Sequence, residues 1–274
     1  MSMRRKWGHG LANLLLAAAS LCILAPVLLI VNVALKSNNE FLNRPSSFVE
    51  SWEWENFGEA WKQAEMGLYF KNSVLFTVVV ALGTCIIATM AAYPIARKHF
   101  RGTNVLYLMF LSALFLPVAL VPQVMLMKYL GFLNTYHGFI MLKIGGSLAI
   151  AIFILTGFIK GLPKELDEAA VVDGCGYLRY IFTFVFPLTK SALSTVAMLT
   201  GIGTWNDFIN PFLFLTDKDM RPLTAGLYMF FGQYSTNWTI MAAGIIVVAS
   251  PLMAAYFLLQ RYIISGVTSG AVKG

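Results

Sequence analysis

The sequence predicts an all-α membrane protein with six transmembrane helices and a further short helix in a cytoplasmic loop. Three observations carry that class. Of the 274 residues, 58% are hydrophobic and 12% charged, whereas soluble domains use about 25% charged residues. The charges also bunch: none falls between Gly10 and Leu35, Asn72 and Ala96, Gly102 and Met127, or Pro222 and Gln260. A bilayer core about 30 Å thick needs about 20 apolar helical residues, and each of these runs supplies them. Finally, basic residues cluster in the loops on one side of the predicted spans.

Taken in order, the spans are expected near 12–35, 72–96, 104–127, 138–159, 189–212 and 240–262. The first follows Arg4-Arg5-Lys6 as a signal peptide would. Its apolar run is too long for a signal core and lacks a clear small-residue cleavage site, so it reads as a retained span. In the 36–71 loop, Trp54 to Ala64 has the pattern of an amphipathic helix on the membrane surface. Pro117 and Pro122 should kink the third span. Lys143 and Asp207 lie near the ends of the fourth and fifth spans, where each is expected to snorkel toward the interface, pairing with an acidic group across a subunit interface being the alternative for Lys143. The 213–239 stretch reads as an outer loop. Nothing divides the chain into soluble domains, so residues 1–274 are expected to form a single transmembrane domain.

Orientation follows from Lys and Arg. Arg4, Arg5 and Lys6, then Arg97, Lys98 and Arg101, then Lys160, Lys164 and Arg179 fall on one side of a six-span chain. The opposite 36–71 loop holds six glutamates against four basic residues. Both termini should therefore be cytoplasmic. The net charge of +7 sits in short clusters beside apolar runs rather than in one patch, which points to a lipid bilayer and not to nucleic acid.

Catalytic chemistry is not visible. No Gly-rich phosphate loop with Lys and Ser/Thr is present, so the chain should neither bind nor hydrolyse ATP. His9, His99 and His137 are scattered without metal-ligand spacing, and Cys22, Cys85 and Cys175 are widely separated. No metal and no cofactor are expected in this chain.

The informative loop is Gly161 to Pro187. Pro163 suits a first helical turn, Glu165, Asp167 and Glu168 favour the positive end of the helix dipole, and Asp173-Gly174 supplies a stop. Leu166, Ala169, Ala170 and Asp173 share one face, where the small alanines permit close approach. Packing on its own bundle and docking to a soluble partner both explain such a helix.

Glu168-Ala169-Ala170, then Gly174, with Pro187 thirteen residues further on, resembles the EAA loop of permease subunits in binding-protein-dependent ABC importers. Trp205-Asn206-Asp207-Phe208 before Asn210-Pro211 is similar to the WNDF segment of carbohydrate permeases. Tyr69 to Ser73 resembles the entry to their second span, and Ser269 to Gly274 the tail of the maltose-type subunit, the smaller of a heterodimeric pair. Phe184 and Phe186 depart from the usual aliphatic residues before the loop proline, and Cys175 from the usual alanine. Lys190-Ser191 lies where a further proline is common, which bears on where the fifth span starts.

The resemblance implies the type I importer permease fold in a prokaryotic cytoplasmic membrane. It implies a second homologous permease, two cytoplasmic ATPase subunits that hold ATP and Mg, an extracytoplasmic solute-binding protein and a carbohydrate cargo. Glu168, Ala169, Ala170, Asp173 and Gly174 would couple the loop to the ATPase. Gln123, Asn206, Asp207 and Asn210 are candidates for the translocation path, although interhelical hydrogen bonding explains them as well. An ion-coupled secondary transporter is the rival reading, but no Asp or Glu lies deep in a span. A membrane enzyme lacks any nucleophile–base or metal constellation.

Overall fold

A computed structural model describes residues 2–63, 65–227 and 237–271, with side chains between Asn13 and Phe257. The Arg4-Arg5-Lys6 side chains and the tail beyond Ala271 lie outside the described residues. Among the described residues the secondary structure is helical, with no strand. The chain forms two compact units, one from 1–67 with 226–251 and one from 68–225 with 252–274.

In the first unit, α1 (Ser2–Ala34) carries the apolar segment Asn13–Ala34. Its leucines face outward all round, Leu15 at 60% and Leu21 at 69% exposure, as a helix solvated by lipid requires. Just beyond it, Lys36 is fully buried, and its ammonium donates to the carbonyls of Arg44 (2.9 Å), Pro45 (3.3 Å) and Ser47 (2.6 Å). Asn56 donates to the carbonyls of Ala34 and Lys36, which satisfies acceptors that the end of α1 leaves open. The short helix α2 (Asn38–Asn43) follows, capped by Ser37. The predicted surface helix is present as α3 (Glu55–Gln63), and Ala64 lies outside the described residues.

The second unit is built on α4 (Met66–Arg97), α5 (Thr103–Ala113), α6 (Leu120–Tyr129), α7 (Tyr136–Lys160) and α8 (Glu165–Val172). It continues through α9 (Tyr177–Leu188), α10 (Lys190–Trp205) and α11 (Ile209–Phe214). A final helix, α12 (Trp238–Ala271), supplies residues to both units. Two apolar cores fix the direction of the spans. One gathers Ala92 of α4, Leu155 and Ile159 of α7, Ala170 of α8, Tyr180 of α9 and Leu193 of α10. The other gathers Phe76 of α4, Met127 of α6, Phe139 of α7 and Phe214 of α11. Helices α4 and α7 each enter at the second core and leave at the first, so they run parallel. The residues from Phe76 to Tyr93 cover about 25 Å of rise, most of a hydrocarbon core.

Among the described residues, four helical segments are long and apolar enough to cross a membrane: Asn13–Ala34, Met66–Arg97, Tyr136–Lys160 and Trp238–Phe257. They fall where the first, second, fourth and sixth spans were expected. Helices α9 and α10 make a fifth if taken together, bent by 85° at Thr189. The third expected span, 104–127, is corrected: it is not one helix. It breaks between Ala113 and Leu120, because Pro117 has no N–H and drives Leu116 away from the helical region. The fifth is likewise interrupted at Asn206–Phe208 before α11 begins. Within α9, Ile181–Val185 takes the wider π-helical turn, a feature that recurs at functional sites.

Candidate coupling and translocation sites

Helix α8 begins at Glu165, so Pro163 precedes the helix rather than sitting in its first turn. Glu165, Asp167 and Glu168 occupy that turn, at the positive end of the dipole. Its other end closes as the sequence requires. Gly174 takes φ +65°, its N–H donates to Val171 O (3.0 Å), and the Cys175 N–H donates to Ala170 O (2.9 Å). This is the Schellman geometry, and glycine enters its left-handed corner without a Cβ penalty. A Cβ added there would meet nothing within 4 Å.

The faces of α8 are sharply divided. Ala170 is buried in the unit's own core, while Glu168, Ala169, Asp173 and Gly174 are exposed. The two alanines expected to share a docking face therefore point different ways, Ala170 inward and Ala169 outward. Val171 and Val172 stand out at 76% and 86% exposure, which is unusual for apolar residues in a loop.

Asp167 is turned inward beside Ala170, three residues on. Its carboxylate accepts from the Tyr93 hydroxyl (3.3 Å) and the Tyr180 hydroxyl, and lies 2.6 Å from Nε of Arg97. That last contact is an ion pair in which the Nε–H is not aligned as a hydrogen bond. The remaining guanidinium nitrogens donate to the carbonyls of Leu162 (3.1 Å) and Pro163 (3.4 Å). Sequence reasoning assigned Arg97 to topology and Asp167 to the helix dipole, and did not pair them. The available signal was the i, i+3 spacing of Asp167 and Ala170, which puts both on the inner face once Ala170 is placed in the core.

At the other core, Lys143 of α7 pairs with Asp207 at 2.7 Å, with side-chain exposures of 16% and 8%. Snorkelling of these two residues is thus corrected: each neutralises the other inside the chain. Asp207 also accepts from the Asn210 backbone N–H (3.2 Å) and side-chain amide (2.8 Å), so it caps the restart of the chain as α11. Its own carbonyl accepts from the Thr224 hydroxyl at 2.8 Å. Asn206 is exposed at the end of α10, and Gln123 is half-buried in α6. The structure joins Asp207 to Asn210, with Asn206 next in sequence, and no hydrogen bond among the described residues joins Gln123 to them.

Asn72 and Ser73 are further residues whose work the sequence did not reveal. Asn72 donates to the carbonyls of Asp219 (2.7 Å) and Arg221 (3.0 Å) and accepts from the Tyr136 hydroxyl (3.1 Å). The Leu223 N–H donates to Ser73 at 2.7 Å. Together they pin the loop after α11 to the start of α4. A groove of about 650 Å³ runs between α4, α10 and α12, lined by Val78, Leu82, Met198, Ile202 and Phe257 among others. Its lining is apolar and includes none of the four path candidates, so it suits a lipid chain or helix better than a hydrated solute. Among the described residues no group of His, Cys, Asp or Glu is arranged to hold a metal.

These features define a multi-span helical membrane protein with a structured loop tied firmly to its spans. Residues 62–269 match the family described as binding-protein-dependent transport system inner membrane component, and the chain belongs to that family. It is 32% identical to the melibiose/raffinose/stachyose import permease protein MelC of Bacillus subtilis, over 95% of each chain. It is also 32% identical to the diacetylchitobiose uptake system permease protein NgcG of Streptomyces coelicolor, over 96% of this chain and 88% of that one. In fold it matches a chain from the crystal structure of a bacterial ABC transporter involved in the import of the acidic polysaccharide alginate. The TM-score is 0.84 at 21% identity, covering 96% of this chain and 98% of that one. The importer permease fold expected from the EAA resemblance is therefore the fold observed. Family membership places the chain in binding-protein-dependent import rather than in ion-coupled secondary transport.

Proposed function

We propose that this chain is one permease of a carbohydrate importer, paired with a second, homologous permease so that their spans enclose the path. Two ATPase subunits holding ATP and Mg grip α8 on the cytoplasmic side, where both termini also lie. An extracytoplasmic binding protein delivers the sugar. The observation that carries the reading is the pair Val171–Val172, exposed on a helix whose opposite face is clamped to the bundle. Apolar surface held out on a rigid support is what a soluble partner needs in order to grip. The oligosaccharides after which MelC and NgcG are named support a carbohydrate cargo.

Glu168, Ala169, Asp173 and Gly174 then belong to the docking side, and Ala170 to the seat that holds α8 in place. Asn206, Asp207 and Asn210, at the interruption between α10 and α11, are polar groups suited to line the path, with Gln123 of α6 a fourth. Gly174 provides the test, because its surroundings within this chain are empty. Gly174→Asn, which tolerates the left-handed corner, is expected to support uptake. Gly174→Trp should insert normally and lose far more uptake than Gly174→Ala, which carries the same backbone strain, since its bulk meets the partner. Full uptake by an inserted Gly174→Trp protein would refute the docking role.

A further inference from the structure

We propose that Asp167, with Arg97, Tyr93 and Tyr180, forms a latch that makes α8 move as one body with α4 and α9. Asp167 is then a positioning residue for transport: it passes a displacement of α8 into two membrane helices at once. The inference rests on the reading of α8 as the docked helix and adds which side chains carry the motion onward.

Little else holds α8. An eight-residue helix has no stability of its own in water. Six of its residues are exposed, and only Asp167 and Ala170 turn inward. Ala170 offers a methyl group to the core, which permits sliding. Asp167 does not permit it, because its carboxylate is fixed from three directions by Arg97 and Tyr93 of α4 and Tyr180 of α9. Arg97 also holds the Leu162 and Pro163 carbonyls, so the strand of chain leading into α8 is fixed to the same guanidinium. Charged hydrogen bonds are directional as well as strong, and a planar fork with several partners resists both translation and rotation.

Stability alone does not call for this arrangement. Burying a charged pair carries a desolvation cost, and apolar residues of similar volume often hold a fold equally well. What they cannot do is fix a register. The cluster sits where α4 ends and where α9 begins, before the π-turn at Ile181–Val185 and the 85° bend at Thr189. A displacement entering through Asp167 therefore reaches one continuous span and one bent pair together. Packed helices move between discrete arrangements, so a slipping joint would dissipate the stroke.

The test uses the complete importer, with both permeases, the ATPase subunits and the binding protein, in proteoliposomes. The readouts are ATPase retained on purification, ATP hydrolysed, and solute transported per ATP. Asp167→Asn keeps an acceptor for both phenols but loses the charge, and Arg97→Gln removes the fork. Both are expected to retain the ATPase and to hydrolyse ATP while transport per ATP falls about tenfold, within the usual range of coupling between sites. Arg97→Lys should restore much of the ratio, which a purely structural role would not predict. Tyr180→Phe keeps the ring and loses one bond, so a smaller fall is expected. If Asp167→Asn fails to assemble, an assembled Tyr180→Phe decides, and a wild-type ratio there overturns the latch. Val172→Arg separates the two ideas. Retention of the ATPase by that variant sinks the docking reading of α8, whereas an unchanged ratio in latch variants sinks the latch alone.

Discussion

Two buried ion pairs in residues 68–225 solve the same problem differently. Arg97–Asp167 is densely partnered: the carboxylate accepts from two phenols and pairs with the guanidinium, whose other nitrogens reach two carbonyls while its Nε–H makes no hydrogen bond. Lys143–Asp207 is not. Its ammonium has three donors, and beyond the 2.7 Å contact to Asp207 the described residues supply only the Gly203 carbonyl at 3.5 Å. A pair held by several partners keeps one geometry. An unsaturated pair next to an interrupted helix keeps capacity for another partner, as polar groups along a hydrated path require. The difference teaches that burial alone does not assign a role to an ion pair, and that the count of remaining donors and acceptors does.

The largest expected effect breaks the less satisfied pair from one side. Asp207→Leu strands the Lys143 ammonium and removes the cap of α11, and about 3–5 kcal/mol of stability should be lost. The double variant Lys143→Met/Asp207→Leu removes both charges and should recover most of the charge component, leaving roughly the 1 kcal/mol expected of a lost cap. Thermal unfolding of the purified complex measures both. A double variant as unstable as the single one would show that the charge pairing is not what Asp207 contributes.

A middle-sized effect sharpens the comparison at the Phe76 end. Asn72 closes three hydrogen bonds between α4, α7 and the loop after α11. Asn72→Ala leaves buried acceptors without donors, at about 1–3 kcal/mol. Limited proteolysis near Asp219 should accelerate in that variant. Equal protection would mean that Ser73 and the Arg221 contact to the Phe212 ring suffice to hold the loop.

How much of this was legible in the sequence depends on range. The uncharged runs placed α1, α4, α7 and α12, because lipid imposes an apolar length that composition reveals directly. Asp173-Gly174 announced the end of α8, since the left-handed corner is a property of a few adjacent residues. At Pro117 the sequence predicts a kink, and the structure shows a break. A single proline frees a carbonyl, and whether the helix closes around the defect depends on neighbours that no local pattern reports. The ion pairs were wholly hidden. Arg97 and Asp167, like Lys143 and Asp207, are far apart in sequence, and each had a sufficient local explanation in topology, dipole or snorkelling. Only the parallel course of α4 and α7 and the bend at Thr189 bring them together.

The smallest effect tests the premise with a third pair outside this unit. Arg44 and Glu50 lie 3.0 Å apart with side-chain exposures of 68% and 63%. Exposed pairs contribute about 0–1 kcal/mol, so Glu50→Gln should leave unfolding nearly unchanged. Beside it, Glu40 accepts from the Glu50 backbone N–H and from the Ser51 hydroxyl, and these bonds lower its pKa, the Glu50 bond most. A carboxyl with a lowered folded-state pKa contributes above its unfolded value, and that contribution disappears as pH falls through the folded value. The 37–51 loop should therefore loosen in acid, below the ordinary glutamate range. Hydrogen exchange at the Glu50 amide reads this out, with Glu40→Gln as the control. If protection there followed Glu50→Gln rather than pH and Glu40, the exposed ion pair would be holding the loop, and ranking these pairs by burial and satisfied partners would fail.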